Sequence, residues 1–311
     1  MSQDDQNQTE RTLEAVRQCY STWGESYHRD YYGEGAPYPP VQIDIVKREL
    51  TAVGARMVLD AGCGPASMLR ELFELDLELH GFDLTPEMIE VAKRTYRENG
   101  LDDAKVWLGN ALEADDHRRA GLSPEDGYDA ALSFGVTPHI PAAADETLIA
   151  NLRDSVCPGG LVLAEARNGL FSLFTMNRYS HEFFMNELID TAALRGQAGG
   201  ETAALDDALG ELEGMFRTDI PPIRKGKDGE PGYDEVVSRT HNPIVLKSQF
   251  EAAGLVDVRV LFYHFHSLPP MFGGKAPDLF IKSSVAMESD PEDWRGHFMA
   301  SAFIISAKRP K

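Results

Sequence analysis

Between residues 56 and 165 short apolar runs alternate with amphipathic segments of helical period, and few folds accommodate that alternation. The runs at 56–60, 77–83, 105–108, 128–133 and 161–165 read as strands. The segments at 66–74, 86–97 and 142–152 read as helices. Parallel strands need long crossovers, and helical crossovers cover the sheet faces, so the pattern predicts an α/β domain built on a parallel sheet.

Within this stretch, Val58-Leu59-Asp60-Ala61-Gly62-Cys63-Gly64-Pro65-Ala66 reads as a strand entering a tight glycine turn and then a helix. Glycine lets a backbone approach a ligand without a Cβ in the way, and a helix start offers unpaired amide donors. Asp83 follows Asp60 at the end of the second strand, where a carboxylate can accept both ribose hydroxyls of an adenosine. Taken singly, Gly62 and Gly64 could form an ordinary turn, Asp83 could cap the helix starting at Pro86, and Cys63 could be a small buried filler. A nicotinamide-binding fold uses the same physics. Three details separate the two: Ser67 stands where G-x-G-x-x-G has its third glycine, Gly109-Asn110-Ala111-Leu112 follows the third strand, and Pro158-Gly159-Gly160 precedes the fifth, with an antiparallel-type strand late in the chain.

Residues 56–166, 243–263 and 298–309 thus resemble the class I S-adenosylmethionine-dependent methyltransferases. The resemblance implies a three-layer, Rossmann-like sheet of seven strands, mostly parallel with an antiparallel last strand, and S-adenosyl-L-methionine as cofactor. That family's D-x-G-C-G-x-G run matches Asp60 to Ala66, with Ala66 in place of the final glycine. It implies Asp60, Ala61, Gly62, Cys63 and Gly64 as the cofactor loop, Asp83 at the ribose, Met88, Asn110 and Ala111 beside the adenine, and Leu84, Leu112 and Phe134 as further cofactor contacts.

The remaining sequence divides around this core. Residues 1–55 read as an N-terminal helical and aromatic lid, with a disordered lead over 1–10, a helix over 12–23, and a second over 41–53. Residues 56–168 form the cofactor-binding core. From 169 to 241 the rhythm breaks into helical patterns at 176–194 and 202–216 and a Pro/Lys/Gly-rich stretch at 220–232, an inserted cap over the active site. Residues 242–311 complete the sheet with a helix at 243–253, strands at 256–264 and 298–307, and a long link over 267–297.

Candidate acceptor-side residues follow from chemistry and position. His139, after the fourth strand, fits a histidine of the resembling family and is a candidate base. Tyr27, from the aromatic cluster Tyr20, Trp23, Tyr27, Tyr31, Tyr32 and Tyr38, is the candidate contact for the cofactor's amino-acid end or the acceptor, with Tyr31 beside it. Arg167, Asn168, Arg178, Tyr179 and His181 sit after the fifth strand or open the cap, where arginines could clamp a carboxylate. His264 and His266 share a strand face as a substrate wall or metal pair; without a third ligand, no metal is expected.

The 311 residues carry 50 Asp and Glu against 30 Lys and Arg, a formal charge of −20. Such a balance disfavours nucleic-acid phosphates and anionic lipid, so the expected partner is a small-molecule acceptor, with no nucleic acid and no membrane, on a monomer or homodimer. Three scattered cysteines and no apolar leader suggest a reducing, cytoplasmic setting. The expected activity is methylation of a small polar metabolite, with an amino acid (on nitrogen or sulfur, including a methionine-type thioether) ahead of a sugar or sugar nucleotide methylated on oxygen. A nicotinamide-dependent oxidoreductase and a non-catalytic cofactor-binding module are the alternatives.

Overall fold

The computed structural model describes residues 3–24, 26–33, 36, 38–118, 126–220 and 236–311. Among these, one sheet holds seven strands: β1 (Met57–Ala61), β2 (Glu78–Asp83), β3 (Val106–Leu108), β4 (Tyr128–Ser133), β5 (Val156–Arg167), β6 (Val256–Phe265) and β7 (Ala300–Lys308). Their order is β3-β2-β1-β4-β5-β7-β6. Strands β1 to β5 pair in parallel, whereas β7 runs antiparallel to both β5 and β6. The strand order reverses between β1 and β4, which opens a crevice at their carboxyl ends.

Successive strand residues face opposite sides, and both sides are buried here. Helices α1 (Gln3–Ser21) and α2 (Tyr27–Tyr31) precede α3 (Gln42–Val53), α4 (Ser67–Glu71) and α5 (Pro86–Glu98), which pack Val46, Leu69 and Tyr96 on the face carrying Val58, Leu132 and Leu163. On the opposite face, α6 (Asp145–Ser155) sets Leu148 and Leu152 against Leu59, Phe82 and Val162. The insertion after β5 contributes α7 (Ser172–Thr175), α8 (Arg178–Phe183), α9 (Thr191–Ala198) and α10 (Thr202–Gly214). The chain returns through α11 (Pro243–Ala252), α12 (Pro277–Met287) and α13 (Gly296–Met299). Leu246 and Phe250 of α11 join α6 on its face. The result is the three-layer, mostly parallel sheet that the alternation implied.

Three local expectations are corrected. Residues 3–10 are helical, continuous with the segment expected from 12 onward. The buried face there is made of Thr9, Thr12, Ala15 and Cys19, small and partly polar residues that carry little hydropathy signal. The link at 267–297 is largely helical; the sequence pattern hides this, because Ser284 is fully buried while Leu279 and Ile281 are exposed, which inverts the usual polarity of a helix face. Its polar anchors are the Ser267 amide on Ser284 Oγ (3.0 Å) and Glu288, whose Oε1 accepts from Tyr38 (2.7 Å) and the Phe265 amide (2.8 Å). The helix expected over 176–194 is broken by a wide turn at Phe184–Leu188. Most of the Pro/Lys/Gly-rich stretch at 220–232 lies outside the described residues.

Candidate active site

The turn after β1 is forced by its backbone. Gly62 has φ +88° and Gly64 +54°, in the left-handed region that favours glycine. A Cβ on Gly62 would lie 2.2 Å from Val136 Cγ2, whereas one on Gly64 would meet nothing within 4 Å. The amides of Gly62 and Cys63 both donate to the Phe82 carbonyl, at 2.8 and 2.9 Å. The Gly64 amide donates to Asp83 Oδ2 (2.9 Å) and the Thr85 amide to Asp83 Oδ1 (2.8 Å). The Thr85 side chain donates to Asp83 as well, and the turn is thereby tied to the end of β2. Gly81, overlooked in the sequence, permits this: a Cβ there would stand 2.9 Å from Cys63 Cβ and Leu69 Cδ1. Ala66 keeps the left-handed φ of the glycine it replaces (+63°), and its methyl joins the core cluster instead of the cavity.

The third loop is held by groups that were not singled out. The Asn110 amide donates to Asp116 Oδ2 (2.7 Å), and the Ala111 carbonyl accepts from Asn151 Nδ2 (3.1 Å) and contacts His117 Nε2 (2.8 Å). Burial lowers the proton affinity of His117, which keeps it neutral at ordinary pH.

These loops surround one cavity, part of whose space is open to solvent. Of the expected cofactor set, Asp60, Gly62, Cys63 and Gly64 line it, as do Asp83, Leu84 and Met88 and, across from them, Asn110, Ala111 and Phe134. Ala61 and Leu112 do not; both pack toward the core. Tyr27 and His139 line it. The N-terminal segment adds Leu13, Val16 and Tyr20 of α1, with Tyr32 beyond α2, and core residues including Ser67, Phe82, Thr85 and Val136 complete the wall. No described residue of 169–241 or 267–297 lines it.

Two features give the cavity its chemistry. Asp60 is 1% exposed, and its Oδ1 has no hydrogen-bond partner among the described residues. Burial, with the Asp83 charge adding to it, pushes the Asp60 carboxyl up to about 8. Burial raises Asp83 too, with the Thr85 and Gly64 amides opposing. The second feature is a contact of 2.9 Å between the Tyr20 hydroxyl and His139 Nε2. His139 Nδ1 meets the Val237 carbonyl at 2.7 Å. Burial raises the Tyr20 and Tyr27 phenols well above their ordinary value, so both stay protonated.

The other acceptor-side candidates stand outside the cavity lining. The Tyr31 ring packs 4.6 Å from that of Tyr27. Arg167 donates to Ser238 Oγ. Asn168 is buried and turned inward, its amide donating to the carbonyls of Gly296 (3.1 Å), His297 (2.9 Å) and Ala300 (2.8 Å). Arg178 donates to the Thr218 carbonyl at 3.2 Å, Tyr179 is exposed, and the His181 ring lies 6.3 Å from Phe216. His264 packs on Tyr38, and His266 packs on Phe171 and Phe280. Among the described residues no group of three or more His, Cys, Asp or Glu side chains is placed to hold a metal ion, and no helix is long and apolar enough to cross a membrane.

Residues 59–162, the segment that builds the elbow, both carboxylates and the third loop, match the family described as methyltransferase domain. The chain carries a class I methyltransferase domain. S-adenosylmethionine is its cofactor, and the nicotinamide alternative falls with that match. The domain is similar to a ubiquinone biosynthesis O-methyltransferase of Shewanella sp. (strain ANA-3), 23% identical over 57% of this chain and 78% of that one. A ubiquinone biosynthesis O-methyltransferase of Xanthomonas axonopodis pv. citri (strain 306) is 30% identical over 44% of this chain, which spans about half (53%) of that relative. Among solved structures, the magnesium protoporphyrin IX methyltransferase of Synechocystis PCC 6803 with bound SAH superposes with a TM-score of 0.51 at 14% identity, covering 96% of this chain and 99% of that one. This last likeness is one of fold.

Proposed function

We propose that this methyltransferase acts on the hydroxyl of a small, uncharged or cationic, largely apolar acceptor, with Tyr20 and His139 handling the proton. The observation that carries the reading is the Tyr20–His139 contact in the cavity wall. The lining around it favours the acceptor class. Its described acidic side chains are Asp60 and Asp83, and no described Lys or Arg joins them. A carboxylate or phosphate brought into that space would face two acids with no cation in the described lining. The amino-acid acceptor expected from the arginines is weakened, since neither Arg178 nor Arg167, whose charge reaches Tyr20 from outside the lining, is part of the wall. The names of the curated relatives, O-methyltransferases, agree with a hydroxyl acceptor.

The cavity suits the cofactor on its own terms. A buried carboxylate with an unpartnered oxygen calls for a cation, which an amino-acid ammonium group supplies. Asp83 would take the ribose hydroxyls, and the space open at Gly64 would admit backbone contact. When bound, the cofactor offers a methyl group on a positive sulfur to a nucleophile placed behind it. The chain's own task is then orientation and proton removal. Tyr20 lies on the wall with its hydroxyl on His139 Nε2, so an acceptor hydroxyl donating to Tyr20 oxygen can pass its proton on to the imidazole.

Two outcomes test this. Asp83→Ala is expected to weaken cofactor binding more than tenfold, since a hydrogen bond to a charged group contributes about 1.5–3 kcal/mol. Unchanged calorimetric affinity would remove Asp83 from the site. Tyr20→Phe and His139→Ala are each expected to lower kcat on a hydroxyl acceptor by about 10²–10³ with a small change in KM. Mass gain of one methyl should appear with phenols and simple alcohols in an acceptor panel. Methylation of amino acids or sugar nucleotides alone would overturn the acceptor class.

A further inference from the structure

The end of the inserted segment grips the loop that carries His139 at three consecutive residues. The Arg239 amide donates to the Pro138 carbonyl at 2.8 Å, His139 Nδ1 meets the Val237 carbonyl at 2.7 Å, and Arg239 Nη1 donates to the Ile140 carbonyl at 2.8 Å. The same guanidinium makes a two-pronged pair with Asp145 at the start of α6, at 2.8 and 2.6 Å. Asp145 is buried, and the Arg239 side chain is 21% exposed. Burial alone would raise the Asp145 carboxyl, but the contacts from Arg239 and from His241 (3.8 Å) outweigh it and hold the group ionised. Beyond the grip, the segment is tied to the end of β5: the His241 amide donates to the Arg167 carbonyl (2.7 Å) and the Gly169 amide to the His241 carbonyl (2.8 Å).

A carbonyl only accepts, so the Val237 contact places the imidazole proton on Nδ1 and leaves Nε2 as the accepting atom opposite Tyr20. Ring orientation and tautomer are therefore set by residues about a hundred positions along the chain from His139. We propose that Arg239, anchored by Asp145, is a positioning residue: it holds the Val237–His139 contact in register and so keeps Nε2 of His139 the accepting atom opposite Tyr20. This rests on the role given above to His139. Arg239 does not line the cavity; its effect runs through the loop. A two-pronged guanidinium pair fixes a plane as well as a distance, which one ammonium group cannot do.

The test uses the full chain with ¹⁵N-labelled histidine, the His139 resonance being assigned by its loss in His139→Ala. The unsubstituted protein is expected to show a single Nδ1–H tautomer for His139. Arg239→Met is expected to give a mixture of tautomers, a fall in kcat of about ten- to a hundredfold as for other removed supporting contacts, and cofactor affinity within twofold. Arg239→Lys should recover part of both the tautomer signal and kcat. In the His139→Ala background, Arg239→Met should change kcat by no more than about twofold, since both substitutions act through one group. A folded Arg239→Met protein with the Nδ1–H tautomer unchanged would overturn the proposal. Should Arg239→Met fail to fold, Arg239→Gln, which also removes the charged pair with Asp145, carries the same readout, and an unaltered tautomer there has the same consequence. Full turnover by His139→Ala would instead remove the catalytic reading of His139, and the tautomer measurement would still decide what Arg239 does.

Discussion

Without ligand, the stability of this protein is expected to fall as pH rises from about 7.5 to about 9, and Asp60→Asn is expected to flatten that fall. Folded, the Asp60 carboxyl keeps its proton up to about 8; unfolded, it releases it near the ordinary value of 3.8. Between those values the native state binds more protons than the unfolded one, so stability declines with pH, by at most about 1.4 kcal/mol per pH unit for one group. Asp83, raised by the same burial, acts in the same direction. The buried histidines act in the opposite one. Burial lowers His28 to about 4 from 6.5, and His117, His266 and His297 shift downward too, so their contribution rises with pH below 6.5. From about one pH unit higher they are neutral in both states, which leaves Asp60 exposed to measurement. Urea midpoints at constant m-value between pH 7.5 and 9 would check this. An Asp60→Asn protein with the same downward slope as the unsubstituted chain would refute a protonated Asp60.

Gly62→Ala is expected to destabilise the fold by about 2–5 kcal/mol, the sum of about 1–2 for a left-handed backbone with a Cβ and about 1–3 for overpacking. The second contribution has one named source, Val136 Cγ2 at 2.2 Å from the added carbon. Val136→Ala in the same chain should therefore recover the packing share and leave the backbone share, which φ +88° fixes. Cofactor affinity should fall with the single substitution, because the turn that would move carries the Cys63 and Gly64 contacts to β2. Denaturant unfolding of the four-protein cycle, with calorimetry on each, measures both effects. A neutral single substitution, or a double variant no better than the single, would mean that the elbow yields.

Much of the site was legible because its determinants are local. A glycine with positive φ, a strand-end carboxylate and an amide-rich helix start are written into a few adjacent residues, and Asp60, Gly62, Gly64 and Asp83 were read from them. Gly81 left no such trace: its need for a missing Cβ comes from Cys63 and Leu69 packing across from β2. The N-terminal helix was misjudged in length because Thr9 and Thr12 are buried, and the link before β7 because Ser284 is. In each case the neighbour, not the residue's own polarity, decided burial.

By itself the sequence determined the alternating strands and helices, the glycine elbow and the acid beyond it, since these depend on backbone preference and on periodicity along a few turns of chain. Only the tertiary structure decided which face closes the cavity and which partner His139 meets. Tyr20 and His139 stand 119 residues apart, and neither spacing nor composition brings them together. Their contact exists because α1 lies across the carboxyl end of the sheet and the 237–239 segment holds the facing loop, a result of packing among elements far apart in the chain.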